Sequence, residues 1–136
     1  MSATDFRPHL AAIKAAVKAA LPASISVYDY SEVPGSNSNG GTLPTKYVAV
    51  AVERRYSPNL RISAQDGGSS WRTSVRSVAS SVSDAGLLMA AVALALNEES
   101  LLVGGESTTS TQFESQEAPA YDSGRYSGHS IWTYDL

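Results

Sequence analysis

The sequence predicts an α+β fold: a mainly antiparallel sheet with two helices packed on one face. Two segments have the apolar spacing of helices, and five have the alternation or composition of strands, in the order α-β-β-β-α-β-β. Runs of strands with helices on one side are typical of α+β architecture. The chain of 136 residues is short enough for a single domain spanning residues 1–136, and it would bury about two-thirds of its unfolded surface.

The first helix is predicted over Phe6–Ala20, where apolar residues recur at helical spacing. Asp5 is its candidate N-cap, and Pro22 ends it because the residue before a proline disfavours helical geometry. A short alternating strand is predicted next, over Ile25–Tyr30.

Residues 31–44 are rich in Gly, Pro, Asn and Ser, which predicts a long flexible loop. Thr45–Glu53 has valines on one face and smaller or aromatic residues on the other, the pattern of a central strand. Residues 54–70 then read as a long hairpin or flap that projects beyond the core.

The stretch from Trp71 to Leu96 organises the chain. Trp71–Arg76 alternates apolar and polar residues, so a half-buried strand is expected. Ser81 and Asp84 have capping-box spacing, and a helix follows that is apolar all round and is therefore expected to be buried on more than one side. Its apolar run, Ala85–Leu96, is about 18 Å long, too short to cross a membrane.

The C-terminal part predicts two more strands, Ser107–Ser115 and Ile131–Leu136, separated by a polar, turn-rich loop over Gln116–Gly128.

The C-terminal part of the chain also holds most of the negative charge. Residues 1–83 carry nine basic and five acidic residues, net +4, whereas residues 84–136 carry one basic and eight acidic residues, net −7. Halves of opposite charge can attract each other within one fold or between copies.

Composition excludes several chemistries. The chain has no cysteine, so thiol catalysis, disulfides and thiolate metal sites are ruled out. Its two histidines, His9 and His129, have no metal-ligand spacing, and no Gly-rich phosphate-binding motif is present. His129 with Asp122 or Asp135 could form a hydrolase triad, but no Gly-x-Ser-x-Gly motif accompanies it. The N-terminus lacks the pattern of a secretory signal, which favours a protein kept in the cytoplasm where it is made.

The run Trp71–Ala79, leading into a capped alanine-rich helix, resembles the tail terminator proteins of long-tailed (siphovirus-type) bacteriophages. The segment Ala118–Asp122 and the aromatic last strand with Trp132 and Tyr134 are similar to the end of that family. The resemblance covers nearly the whole chain, and the long Ser/Gly loop before Thr45 departs from it.

This resemblance implies a structural protein without catalysis, metal or cofactor. Such terminators form a ring, expected to be a hexamer, on the last ring of the tail tube protein. They stop tube polymerisation and present a surface to the head-completion protein, so the expected location is the head-proximal end of the tail in the virion. DNA would pass through the ring without specific binding. The alternatives are another head-tail connector or stopper, and a small ligand-binding or hydrolase domain.

Two sets of site residues follow from this expectation. A channel for DNA should repel phosphate, because each contacting cation adds affinity and slows sliding. The acidic C-terminal part therefore supplies the expected channel-lining residues, and the arginine-rich flap supplies the expected partner interface. The channel set is Glu106, Glu114 and Glu117, and the partner set is Arg54, Arg55, Tyr56, Arg61 and Trp71.

Overall fold

The computed structural model describes residues 5–35, 40–55 and 69–136, and all structural statements concern these ranges. Two helices and seven strands lie within them. In chain order they are α1 (Arg7–Ala20), β1 (Ser26–Asp29), β2 (Tyr47–Arg55), β3 (Ser70–Ala79), α2 (Val82–Leu96), β4 (Ser100–Val103), β5 (Glu106–Ser110), β6 (Gln112–Asp122) and β7 (Arg125–Asp135).

The main sheet has five strands in the order β1-β2-β3-β7-β6. β1 runs parallel to β2, and every other neighbouring pair is antiparallel. β4 and β5 form a separate two-stranded sheet. α1 packs over β1 and β2, while α2 packs over β3, β7 and β6. The predicted α+β class, with two helices on a mainly antiparallel sheet, is confirmed.

The core lies between the helices and the sheet. Alternation along the strands sends one set of side chains toward the helices, as expected for a half-buried sheet. The fully buried members of this core include Ile13 and Val17 from α1, Val48 and Val50 from β2, Trp71 and Val75 from β3, and Val92 and Leu96 from α2. Gly128 of β7 lets α2 approach closely, because a Cβ there would collide with the sulfur of Met89.

The start of α2 follows the predicted cap. Ser81 is the N-cap, and its hydroxyl accepts a hydrogen bond from the Asp84 amide at 3.1 Å. The Asp84 carboxylate lies 3.4 Å from the Lys46 ammonium group. The expectation that α2 is buried on more than one side is wrong for the single chain, since Leu87 is 66% and Leu94 81% exposed.

The start of α1 differs slightly from the prediction. The N-cap is Phe6, whose side chain makes no capping hydrogen bond. Asp5 lies one residue earlier, where its carboxylate accepts from the Arg7 backbone amide at 3.1 Å and from the Arg7 guanidinium at 2.8 and 2.9 Å. It thus pairs with a free amide of the first turn from outside the cap position.

The largest differences from the sequence prediction lie after α2. Ser100–Val103 forms β4, which the sequence analysis did not predict. The strand expected at Ser107–Ser115 divides at Thr111, where the chain passes from β5 in the small sheet to β6 in the main sheet. The loop expected at Gln116–Gly128 is instead most of a hairpin, with β6 and β7 joined by a turn at residues 123–124.

Part of the predicted loop 31–44 lies in the described residues, and it packs on the sheet. Val33 is fully buried beside Tyr47, Ala49 and Val78, with Leu43 partly buried at the same place. Of the predicted flap 54–70, the two ends belong to β2 and β3, and residues 56–68 lie outside the described residues.

Candidate interaction surfaces

The face of the main sheet opposite the helices is called the open face here. Strand register and alternation place on it the side chains that point away from the helices. Among the described residues it carries four arginines and five carboxylates, so the charges of these residues nearly balance. They are Arg55, Arg72, Arg76 and Arg125 with Glu53, Glu114, Glu117, Asp122 and Asp135.

Ion pairs cross the open face from β2 to β6. Arg72 lies 3.3 Å from Glu53 on one side and 3.1 Å from Glu114 on the other, and Arg55 lies 3.9 Å from Glu114. All four side chains are partly exposed, so each pair contributes only about 0 to 1 kcal/mol. The pairs neutralise the arginines of this part of the surface.

His129 lies in the middle of the open face, beside a cleft of about 170 Å³ that is also lined by Ser74, Ser115, Glu117 and Ile131. Its Nδ1 is 4.0 Å from the Glu117 carboxylate. The proposed triad partners are not at this cleft. Asp122 pairs with Arg125 in the strand register at one end of the hairpin, and Asp135 lies at the other end, opposite Ser70.

The loop after β1 covers one end of the open face. The Arg125 guanidinium donates to the carbonyl oxygens of Leu43 and Pro44, both at 3.2 Å. Arg76 lies 5.2 Å from the centre of the Tyr30 ring, a cation–π distance. The described part of the loop is therefore held to the sheet by arginines from β3 and β7.

Trp71 was predicted at a partner interface, and the structure corrects this. Its side chain is fully buried and stacks on His9 with the ring centres 3.8 Å apart. The indole nitrogen donates to the Ser69 hydroxyl at 2.6 Å, and His9 Nδ1 lies 2.8 Å from the Tyr134 hydroxyl. Burial lowers the pKa of His9 and raises the pKa of Tyr134, because both charged forms would lose solvation.

The other predicted partner residues are divided between two regions. Arg54 is exposed at the end of β2, and Arg55 is half-buried beside Glu114. Tyr56 and Arg61 lie outside the described residues. Of these four residues the structure therefore describes only Arg54 and Arg55, and Arg55 is already paired with Glu114 of the same chain.

The expected channel residues are not one cluster. Glu114 and Glu117 both lie on β6 and on the open face, but Glu114 is paired with Arg72 and Arg55, whereas the Glu117 side chain is 83% exposed. Glu106 is exposed on β5, in the separate two-stranded sheet. Local sequence patterns could not reveal these ion pairs, because the pairs join strands far apart in the chain.

Large apolar side chains are exposed mainly on one side of the molecule. Within the described residues seven are strongly exposed, and five of these lie on α2 and on the neighbouring strand β6. They are Val82, Leu87 and Leu94 on α2, and Phe113 and Tyr121 on β6. We call this the α2–β6 surface. In the sequence this surface was indicated by the run Ala85–Leu96, which has apolar residues on every side of the helix.

Among the described helices, neither is long and apolar enough to cross a membrane. The described part of the chain contains no group of three or more His, Cys, Asp or Glu side chains that could hold a metal ion.

Comparison with solved structures identifies the fold in other proteins. A chain of the virion of a native gene transfer agent particle aligns with a TM-score of 0.66 and 17% identity, over 93% of this chain and 92% of that one. A second solved structure aligns with a TM-score of 0.63 and 14% identity, over 96% of this chain and 94% of that one. Comparisons with protein-family models and with curated proteins find no match. The chain therefore shares its complete fold with a gene transfer agent virion component.

Proposed function

We propose that this protein is a structural component of a phage or phage-like particle that caps the tail tube as a ring of six copies. There it stops tail polymerisation and forms the interface to the head-completion protein. The observation that carries this proposal is the fold shared with a gene transfer agent virion chain over more than nine-tenths of both chains. The resemblance to tail terminators, which rests on the order of the elements and on the run Trp71–Ala79, supports the same class.

The charge pattern of the open face supports a role beside DNA. A wall with surplus cations would bind phosphates and release counterions, which would retard a moving duplex. On the open face the arginines are matched by carboxylates, and Arg72 is held between Glu53 and Glu114. In the proposed ring this face lines the channel, and the Glu117 side chain, which is 83% exposed, faces the lumen. Glu106, on the separate small sheet, contributes to the rim.

Deletion of the gene and measurement of tail length by negative-stain electron microscopy test the proposal. A tail terminator is expected to leave over-long or headless tails, and complementation should restore both length and joining. Tails of normal length that fail to join heads would favour the connector or stopper alternative. Normal particles in the deletion strain would remove the proposal.

The hydrolase or ligand-binding alternative centres on the cleft at His129. The variant His129→Ala distinguishes it, because a structural role predicts particles of normal length and infectivity or transfer activity. If His129→Ala abolished function while the protein still assembled, the cleft would have a chemical role.

A further inference from the structure

A small cleft at the loop-covered end of the open face contains two arginines. Its volume is about 90 Å³, and its lining comes from the loop after β1, from β2, β3 and β7, and from the β6–β7 turn. Arg76 and Arg125 reach it from two adjacent strands. The other polar side chains around it are those of Asp122, Ser123 and Ser127. The cleft therefore carries more positive than negative charge.

The Arg76 guanidinium has a donor that the chain does not use. Its Nε atom is buried and has no hydrogen-bond partner. The group lies over the Tyr30 ring, and this contact neutralises no charge. A buried donor without an acceptor costs free energy, so native structures leave few of them. An unpaired N–H beside a polar cleft indicates where the acceptor atom of a ligand binds.

Arg125 also lacks a counter-ion. Its Nε and Nη2 atoms donate to two carbonyl oxygens of the loop, which leaves Nη1 available. Among the described residues neither Arg125 nor Arg76 forms an ion pair with a carboxylate, whereas Arg72 lies between two glutamates. Residues 36–39 of the same loop, which lie outside the described ranges, include no acidic residue. The two arginines at this end of the face are thus matched by no carboxylate of the loop.

The charge of the cleft favours a singly charged anion. Two arginines and one aspartate give a net charge of +1, and the Asp122 carboxylate accepts a hydrogen bond from Ser123 at 3.1 Å. A carboxylate carries one negative charge, whereas a phosphate monoester carries about 1.5 to 2 at pH 7. The planar fork of arginine also matches the two oxygens of a carboxylate. Duplex DNA fits less well, because its rows of phosphates would extend past the cleft to the glutamates of the open face.

We propose that this cleft binds one carboxylate group of an adjoining protein in the particle, held by Arg76 and Arg125. Pockets that enclose small molecules measure about 300–1,000 Å³, so a cleft of about 90 Å³ admits only the end of a side chain. A carboxylate carried on a protein surface meets this condition, because the rest of the contact lies outside the cleft. The inference rests on the proposed function, since it states the chemistry of a partner of the proposed particle component.

NMR of the free protein tests the cleft through the arginine Nε–H signals. Acetate is the probe, and chloride at equal ionic strength is the reference. The signals of Arg76 and Arg125 should shift with acetate to a plateau, while that of Arg72, on the same strand and face as Arg76, should not. In Arg76→Gln the acetate affinity read at Arg125 should fall by about tenfold, because a hydrogen bond to a charged group is lost.

Three NMR results would overturn the assignment. Equal shifts at Arg72 and Arg76 would show general ionic screening, and the absence of a plateau would show that no site exists. Inorganic phosphate or a short DNA duplex that shifts the Arg76 signal at concentrations tenfold below those of acetate would make phosphate the ligand.

Cross-linking in assembled particles identifies the source of the carboxylate. Arg76→Lys keeps the positive charge and supplies an amine, which a carbodiimide joins to a contacting carboxylate as an amide with loss of water. Mass spectrometry should find position 76 joined to an acidic residue of another chain. Arg72→Lys is the matched control, and it should join only to Glu53 or Glu114 of its own chain. Circular dichroism verifies that both variants fold.

The outcomes separate this inference from the proposed function. No product from Arg76→Lys in particles, or a product joined only to Asp122 of the same chain, would overturn the protein partner. Acetate binding together with that result would assign the cleft to a free small carboxylate. Folded Arg76→Lys protein that fails to assemble, while Arg72→Lys assembles, would support the contact, because an amine lacks the fork of arginine. Normal particles in a deletion strain remove the tail-capping proposal and leave acetate binding by the free protein unchanged.

Discussion

Replacement of Trp71 by alanine distinguishes a core residue from an interface residue. The side chain is fully buried, stacks on His9 at 3.8 Å and donates to Ser69 at 2.6 Å. Removing it leaves a large cavity and an unpaired serine hydroxyl in the core. Replacing a buried Trp by Ala costs about 3–5 kcal/mol, against a total stability of about 5–15 kcal/mol for a domain. Trp71→Ala should therefore lose at least about a fifth of the free energy of unfolding of the single chain.

Urea unfolding followed by circular dichroism measures this effect. With an unfolding slope of about 1–3 kcal/mol per molar urea, the midpoint should fall by about 2 M. Tyr121→Ala is the matched control, since Tyr121 is an aromatic residue that is 68% exposed, and its midpoint should change little. A Trp71→Ala protein that unfolds within about 1 kcal/mol of the parent, yet fails to assemble, would refute the burial and restore the interface prediction.

Three further predictions concern other groups. Burial lowers the pKa of His9, so the unfolded chain binds the imidazole proton more tightly than the folded chain does. The free energy of unfolding should therefore be highest above about pH 6.5 and should fall as the pH decreases toward the lowered pKa. Urea titrations should show less of this pH dependence in His9→Gln. Arg125→Ala removes both hydrogen bonds to the loop, so hydrogen exchange should quicken at Leu43 and its neighbours, with unchanged rates in α1 counting as the internal control. Glu114→Lys places a third cation in contact with Arg55 and Arg72, so the melting temperature of the protein should fall. A melting temperature equal to that of the parent would mean that these ion pairs contribute nothing to stability.

Local patterns predicted the elements whose signal lies in neighbouring residues. The cap at Ser81 and the end of α2 at Leu96 agree with the structure, because capping and helical periodicity depend on contacts only three or four residues apart. β2 and β3 were also recognised, since central strands alternate between a helix-covered side and a more polar side. The mainly antiparallel α+β class followed from the order of these elements.

The part of β6 from Gln116 to Asp122 was predicted as a loop, because β6 is an edge strand with nearly every side chain exposed and its sequence has no apolar alternation. Pairing with β7 makes it a strand, with register shifts between Phe113 and Ser115 and between Glu117 and Ala120. The strand β4 was missed for a similar reason, since four residues carry too little pattern. Both depend on partners supplied by other parts of the chain.

For the residues of the candidate surfaces too, some properties followed from the sequence and others only from the tertiary structure. The sequence by itself determined the two helices, the central strands, the absence of cysteine chemistry and the concentration of acidic residues after Asp84. Only the tertiary structure decided that Trp71 belongs to the core, that Glu114 is paired with arginines of β2 and β3, and that Leu94 faces solvent. The physical reason is that burial and ion pairing depend on distances between segments remote in the chain, whereas periodicity records only which side of one element a residue occupies.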